Sequence, residues 1–248
     1  MRFHIGTSGF SYPAWKGSFY PEKLPAKKFL EHYATKLGSV EINATFYRMP
    51  KAETLAGWCE QVPNSFRFSI KASQKITHHK RLKPESEEFV AYLFSALESL
   101  GERLGVVLFQ LPPNLKADAA RLERFLTYVP ADAPIAFEFR HASWVCDEVL
   151  ELLKARGAAA CLSDTDDTDE DAPIVPTARR GYLRLRREAY SDDDLQRWID
   201  SIKAQDWDEV FLFFKHEDAG VGPALAMKMQ EMVGASNQAR CQRRRGLR

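Results

Sequence analysis

Apolar residues recur along the chain in short runs, several alternating with polar residues at a period of two. Turn residues or helix ends bound each run. Eight runs predict strands: residues 3–6 (FHIG), 39–43 (SVEIN), 66–72 (FRFSIKA), 105–111 (GVVLFQL), 135–140 (IAFEFR), 159–164 (AACLSD), 181–186 (GYLRLR) and 209–216 (EVFLFFKH). Between them, apolar residues fall at helical spacing over 26–37, 51–61, 85–100, 118–129, 143–157, 191–204 and 222–233. Ser191 followed three residues later by Asp194 resembles a capping box with Asp in place of Glu. Helices interleaved with strands imply crossover connections and a parallel sheet. Eight strands over residues 1–235 favour closure into a single (β/α)8 TIM-type barrel. The rival, an open doubly wound sheet, lacks its GxGxxG fingerprint here. No helical pattern fills 163–181, whose acidic, proline-containing composition reads as a loop.

The strand period assigns faces. In 135–140, Ile135, Phe137 and Phe139 share one face, while Ala136, Glu138 and Arg140 share the other. Val40 and Ile42 likewise face the helices and leave Glu41 and Asn43 inside. Phe66, Phe68 and Ile70 leave Arg67, Ser69 and Lys71 inside, and Leu183 and Leu185 leave Arg184 and Arg186 inside. Gln110, Asp164, Lys215 and His216 lie at strand ends. These polar residues concentrate toward the C-terminal ends of the strands, where barrel active sites are built. Buried unpaired they would cost several kcal/mol each, so they either neutralise one another or bind a ligand. A self-satisfied network would set Glu41, Glu138 and Asp164 against Arg67, Lys71, Arg140 and Arg184.

Composition adds limits. The chain has 248 residues, 45% hydrophobic and 28% charged, with a net charge of +1. That balance suits a soluble protein with a sizeable core and gives no global electrostatic case for nucleic acid or membrane. The scattered cysteines (Cys59, Cys146, Cys161 and Cys241) form no CxxC pair and suit reduced thiols in a cytoplasmic protein. No secretory h-region opens the chain, and no run is long enough to span a bilayer. The basic segment 236–248 has little to bury and is expected to fray.

Five blocks carry a family resemblance: IGTSGFSYPAWKGSFYP (5–21), VEINATFYRMP (40–50), FSIKASQKITHHKRL (68–82), LGVVLFQLPP (104–113) and AFEFRHASW (136–144). They resemble the signature blocks of the DUF72, or YecE-like, family, and the resemblance runs to about residue 233. It implies a TIM-barrel fold and carries no assigned activity. It supplies Glu41, Tyr47, Lys71, His78, Glu138, Arg140, His141, Trp144 and Asp164 as candidate pocket residues. Members of that family often carry asparagines in the last strand, where this chain has Lys215 and His216.

The inward residues make the mouth basic, which suits an anionic ligand such as a phosphorylated metabolite or a phosphodiester. In an enzyme, Glu41 and Glu138, with Asp164 as a third carboxylate, would transfer protons. Lys71, Arg140 and Arg184 would hold a phosphate, with His78 and His141 at the same rim. Tyr12, Tyr47 and Trp144 would stack on a base or sugar, or pack under a loop. The GTSG turn (6–9) offers backbone N–H groups to a phosphate, or is a plain turn. Hydrolysis and proton transfer on a sugar phosphate both fit. No HxH or HExxH spacing fixes a metal among His78, His79, His141, Glu41, Glu138, Asp164 and His216, and no cofactor is specified. The run 164–171 lacks the glycine and glutamate of a calcium loop. The alternative is a non-catalytic protein that binds a metabolite or a nucleic-acid fragment, with the basic stretches 75–83 and 177–187 tracking a phosphate backbone.

Overall fold

A computed structural model describes residues 1–165, 174–215 and 220–245, with side chains as far as residue 235. Eight parallel strands close into a barrel in sequence order: β1 (Arg2–Ser8), β2 (Ser39–Ile42), β3 (Arg67–Lys71), β4 (Leu104–Gln110), β5 (Ile135–Glu138), β6 (Ala159–Asp164), β7 (Arg180–Leu185) and β8 (Glu209–Phe214). β1 seals the ring by pairing with both β2 (Gly6 opposite Ser39) and β8 (Thr7 opposite Phe214). Glycine is required at position 6, because a Cβ there would lie 1.9 Å from the Ser39 carbonyl oxygen.

The helices are α1 (Phe29–Ala34), α2 (Ala44–Tyr47), α3 (Ala52–Cys59), α4 (Glu87–Leu97), α5 (Ala119–Leu126), α6 (Asp147–Arg156), α7 (Asp192–Lys203) and α8 (Val221–Arg245). Local chemistry sets their ends. Asp118 caps α5 by accepting from the Arg121 N–H, and Gly157 ends α6 at a positive φ of 66°. At α7, Ser191 and Asp194 form the expected reciprocal capping box. α8 continues as helix into the basic segment that begins at residue 236. Residues 174–179, before β7, contain no helix, and most of the acidic run 164–171 lies outside the described residues. Among the described residues no helix is long and apolar enough to cross a membrane.

The core lies between barrel and helices. Val40, Ile42, Phe66, Phe68, Ile70, Phe137, Leu183 and Leu185 are all buried there, on the face the period predicts. The barrel interior is layered by the same period. A lower apolar plug is built from Val106, Leu108, Ala136, Ala159, Tyr182, Phe211 and Phe213. One step along each strand, Glu41, Gln110, Glu138 and Arg184 form a buried polar layer. A further step reaches Asn43, Arg140, Arg186 and Lys215 at the open C-terminal mouth.

Two expected members of the mouth lie elsewhere. Arg67 opens β3 at its N-terminal end, and its Nη1 donates to the carbonyls of Asn64 and Phe66, both at 3.0 Å. At about 3.3 Å per strand residue, it sits a full strand length below the mouth. Asp164 follows Leu162 onto the outer face, where its carboxylate accepts from Arg187 Nε and Tyr190 Oη, both at 2.7 Å.

Candidate functional site

A pocket of about 670 Å³ opens at the C-terminal mouth. Its floor is the polar layer. Arg184, 2% exposed, reaches Glu41 Oε1 through Nη2 at 3.0 Å and Nε at 3.2 Å, and Glu138 Oε2 through Nη1 at 2.6 Å. Glu41 also accepts from Ser8 Oγ and Tyr182 Oη, both at 2.7 Å, and Glu138 from Gln110 Nε2 at 2.7 Å. Every oxygen of the two carboxylates is therefore bonded. Burial pushes the Glu138 carboxyl up, but Arg184, Gln110 and Arg186 outweigh it and the net displacement is downward. Glu138 is thus ionised at neutral pH, as a support for Arg184 should be.

Above this floor stand Lys71, Arg140, Arg186 and Lys215. Arg186 lies 3.8 Å from Glu138 Oε1. Among the described residues no carboxylate forms an ion pair with Lys71, Arg140 or Lys215. Two carboxylates against five cations, Arg184 included, leave a local charge of +3. Phe10, Tyr12, Tyr47 and Trp58 complete the wall, with Tyr47 73% exposed at the rim.

The other candidates act locally. His78 is half-buried behind the wall, 4.9 Å from the Phe46 ring, with Nδ1 2.9 Å from Thr77 Oγ1. Burial, then Lys71 and Arg140, hold its imidazole below the usual value. His141 caps the turn Ala142–Trp144 by accepting from the Ser143 N–H. Trp144 is fully buried, stacked 4.9 Å from Phe139, and donates Nε1 to the Leu115 carbonyl at 2.7 Å. It packs under a loop and does not line the pocket. In the GTSG turn, the Gly9 N–H is already bonded to Thr7 O. Among the described residues no three His, Cys, Asp or Glu side chains converge on a metal position, and His216 lies outside those residues.

This geometry sits on a chain that a family profile described as "Protein of unknown function DUF72" matches over residues 4–246. The chain belongs to the DUF72 family. The UPF0759 protein YunF of Bacillus subtilis is 28% identical over 225 residues, covering 86% of this chain and 78% of YunF. The UPF0759 protein YecE of Escherichia coli is 30% identical over 139 residues, 56% of this chain and 48% of YecE. A crystal structure of a DUF72 family protein from Thermotoga maritima superposes with a TM-score of 0.81 at 26% identity, covering 94% of this chain and 100% of that one. Within this DUF72 barrel, Lys215, the residue after β8, adds a cation to the rim.

Sequence reasoning did not mark Phe10 or Trp58 as site residues. Trp58 lies near the C-terminal end of α3 and lines the pocket from there. Nor did it find the Ser8 and Tyr182 bonds that hold Glu41. The position of Ser8 at the C-terminal end of β1 was the available signal.

Proposed function

We propose that the pocket binds a small phosphate-bearing molecule, and that the protein is an enzyme acting on a phosphosugar or phosphodiester. The observation that carries this reading is the convergence of Lys71, Arg140, Arg186 and Lys215 above a floor whose carboxylates are already committed to Arg184. A dianionic phosphate would neutralise most of the surplus charge. The wall of Phe10, Tyr12, Tyr47 and Trp58 suits a sugar or base ring. In this reading Glu41 and Glu138 hold Arg184 in place, and proton transfer falls to groups on the rim.

A long nucleic-acid track finds less support. In the stretch 177–187, Arg179 pairs with Asp206 and Asp208, Arg180 with Glu209, Arg187 with Asp164, and Arg184 is buried. Those cations are not free to follow a phosphate backbone.

A thermal-shift screen tests the proposal, using inorganic phosphate, phosphosugars, nucleoside monophosphates, short oligonucleotides and the unphosphorylated counterparts. A ligand at about 100 times its dissociation constant stabilises by about 2.7 kcal/mol. For a chain of this size the midpoint should rise by roughly 5–11 °C. The rise should follow the phosphate and vanish in Arg140→Ala. No shift with any phosphate ester would overturn the reading, and a shift with oligonucleotides alone would favour nucleic-acid binding.

A further inference from the structure

Lys71 differs from the other cations of the pocket. It closes β3, is only 9% exposed, and holds its Nζ 4.2 Å from the centroid of the Phe46 ring. Its backbone is pinned, since Thr45 Oγ1 donates to the Lys71 carbonyl at 2.7 Å. The charged groups around it come from several elements: Glu41 on β2, Glu138 on β5, Arg184 and Arg186 on and just after β7, His78 behind the wall and Arg140 at the rim. Burial, and then Arg184, hold the ammonium down, with Glu41 and Glu138 pulling the other way. The result is about 8, against an ordinary 10.5. A desolvated amine beside other cations is the arrangement that makes lysine a nucleophile near neutral pH.

We propose that Lys71 Nζ forms a Schiff base with a phosphate-bearing aldehyde or ketone, whose phosphate is held by Arg140, Arg186 and Lys215. This rests on the anion-binding reading above and adds the carbonyl class to it. The neutral amine attacks the carbonyl carbon. A C–N bond forms, and the π pair of the carbonyl moves to oxygen, which takes a proton as nitrogen gives one up. The carbinolamine hydroxyl then takes a second proton and leaves as water, and the nitrogen lone pair forms the iminium. Overall, amine, carbonyl and one proton give iminium and water, with no change of oxidation state. The cationic iminium fits next to Glu41 and Glu138, the only carboxylates among the neighbours named above.

The test uses the full chain with pyridoxal 5′-phosphate and sodium cyanoborohydride, whose hydride reduces the iminium to a stable secondary amine. Digestion and mass spectrometry then locate the label. Two controls separate the terms: pyridoxal lacks the phosphate, and pyridoxine 5′-phosphate lacks the carbonyl. Label is expected at Lys71 at least about ten-fold faster than at the exposed Lys36 and Lys116. Inorganic phosphate should slow it, and the rate should fall about ten-fold per pH unit below about 8. Lys71→Arg should lose the label while pyridoxine 5′-phosphate still raises the melting temperature. If that compound stabilises wild type but Lys71 stays unlabelled, the Schiff-base proposal falls and the anion-binding reading stands. If it neither stabilises nor does Lys71 react, both fall. Labelling by pyridoxal at the same rate would overturn the phosphate-bearing substrate class.

Discussion

Arg184 Nη1 donates to Glu138 Oε2 at 2.6 Å, and both side chains are 2% exposed. The same guanidinium holds Glu41, so one buried cation on β7 bridges two buried carboxylates from β2 and β5. Removing one member of such a group leaves charge uncompensated, which costs about 3–5 kcal/mol. Arg184→Met strands two carboxylates and should lower unfolding stability by at least that much in urea denaturation. A loss below about 1 kcal/mol would mean that water or the rim cations already neutralise both glutamates.

Acid should weaken the fold through two carboxyls whose folded-state pKa values lie below the ordinary 4.5. For Glu138, burial pushes upward but Arg184 pulls further downward. Glu209, at the opposite end of the barrel, is held at about 2 by its bond to His4 and by Arg180. A depressed carboxyl contributes its stability in full above the unfolded value and loses it as pH falls through the folded one. Stability should therefore decline from about pH 4.5 down to about 2. Glu209→Gln should flatten that slope, read from denaturation midpoints across the range. An unchanged slope in the variant would show that Glu209 is not linked to folding.

Short apolar or alternating runs were enough to find all eight strands. Period-two alternation gave the faces of β2, β3, β5 and β7, because both faces of a barrel strand are buried and each has its own chemistry. It placed Glu41, Lys71, Glu138 and Arg184 on the inside. It could not say how far along the barrel axis a residue sits. Arg67 has the right face at the wrong end, while Asp164 leaves the pocket because Arg187 and Tyr190 claim it. Both outcomes depend on partners distant in sequence or on register, which one strand does not encode. The choice between ion network and binding mouth was also hidden. The floor proves to be such a network, around Arg184, with Arg186 at its edge, while Lys71, Arg140 and Lys215 above it are paired with no described carboxylate.

Trp144 offers a test of packing against binding. Its ring lies 6° from coplanar with Phe139, and its N–H satisfies the Leu115 carbonyl. Trp144→Ala opens a cavity and orphans that carbonyl, at a cost of about 3–5 kcal/mol. Trp144→Phe should lose less, about 1–2 kcal/mol, since most of the stack survives. In both variants, pyridoxine 5′-phosphate should still raise the midpoint as far as it does in wild type. A ligand shift abolished in Trp144→Phe would move this side chain into the binding wall.

The rim cations should differ in their response to salt. Arg140 is exposed, so its attraction for a phosphate is screened over a Debye length of about 8 Å at physiological ionic strength. Lys71 is buried at the pocket wall and is screened much less. A hydrogen bond to a charged group contributes about 1.5–3 kcal/mol. Arg140→Ala should accordingly weaken pyridoxine 5′-phosphate binding about ten-fold or more in low salt, with the deficit shrinking as salt is added. Lys71→Met should weaken it less, because the phosphate itself is assigned to Arg140, Arg186 and Lys215, and that smaller deficit, from the lost neighbouring charge, should persist. Isothermal titration at two salt concentrations separates the cases. Equal salt sensitivity in both variants would mean that Lys71 meets the phosphate in open water, so the pocket would not be the low-dielectric site that its burial implies.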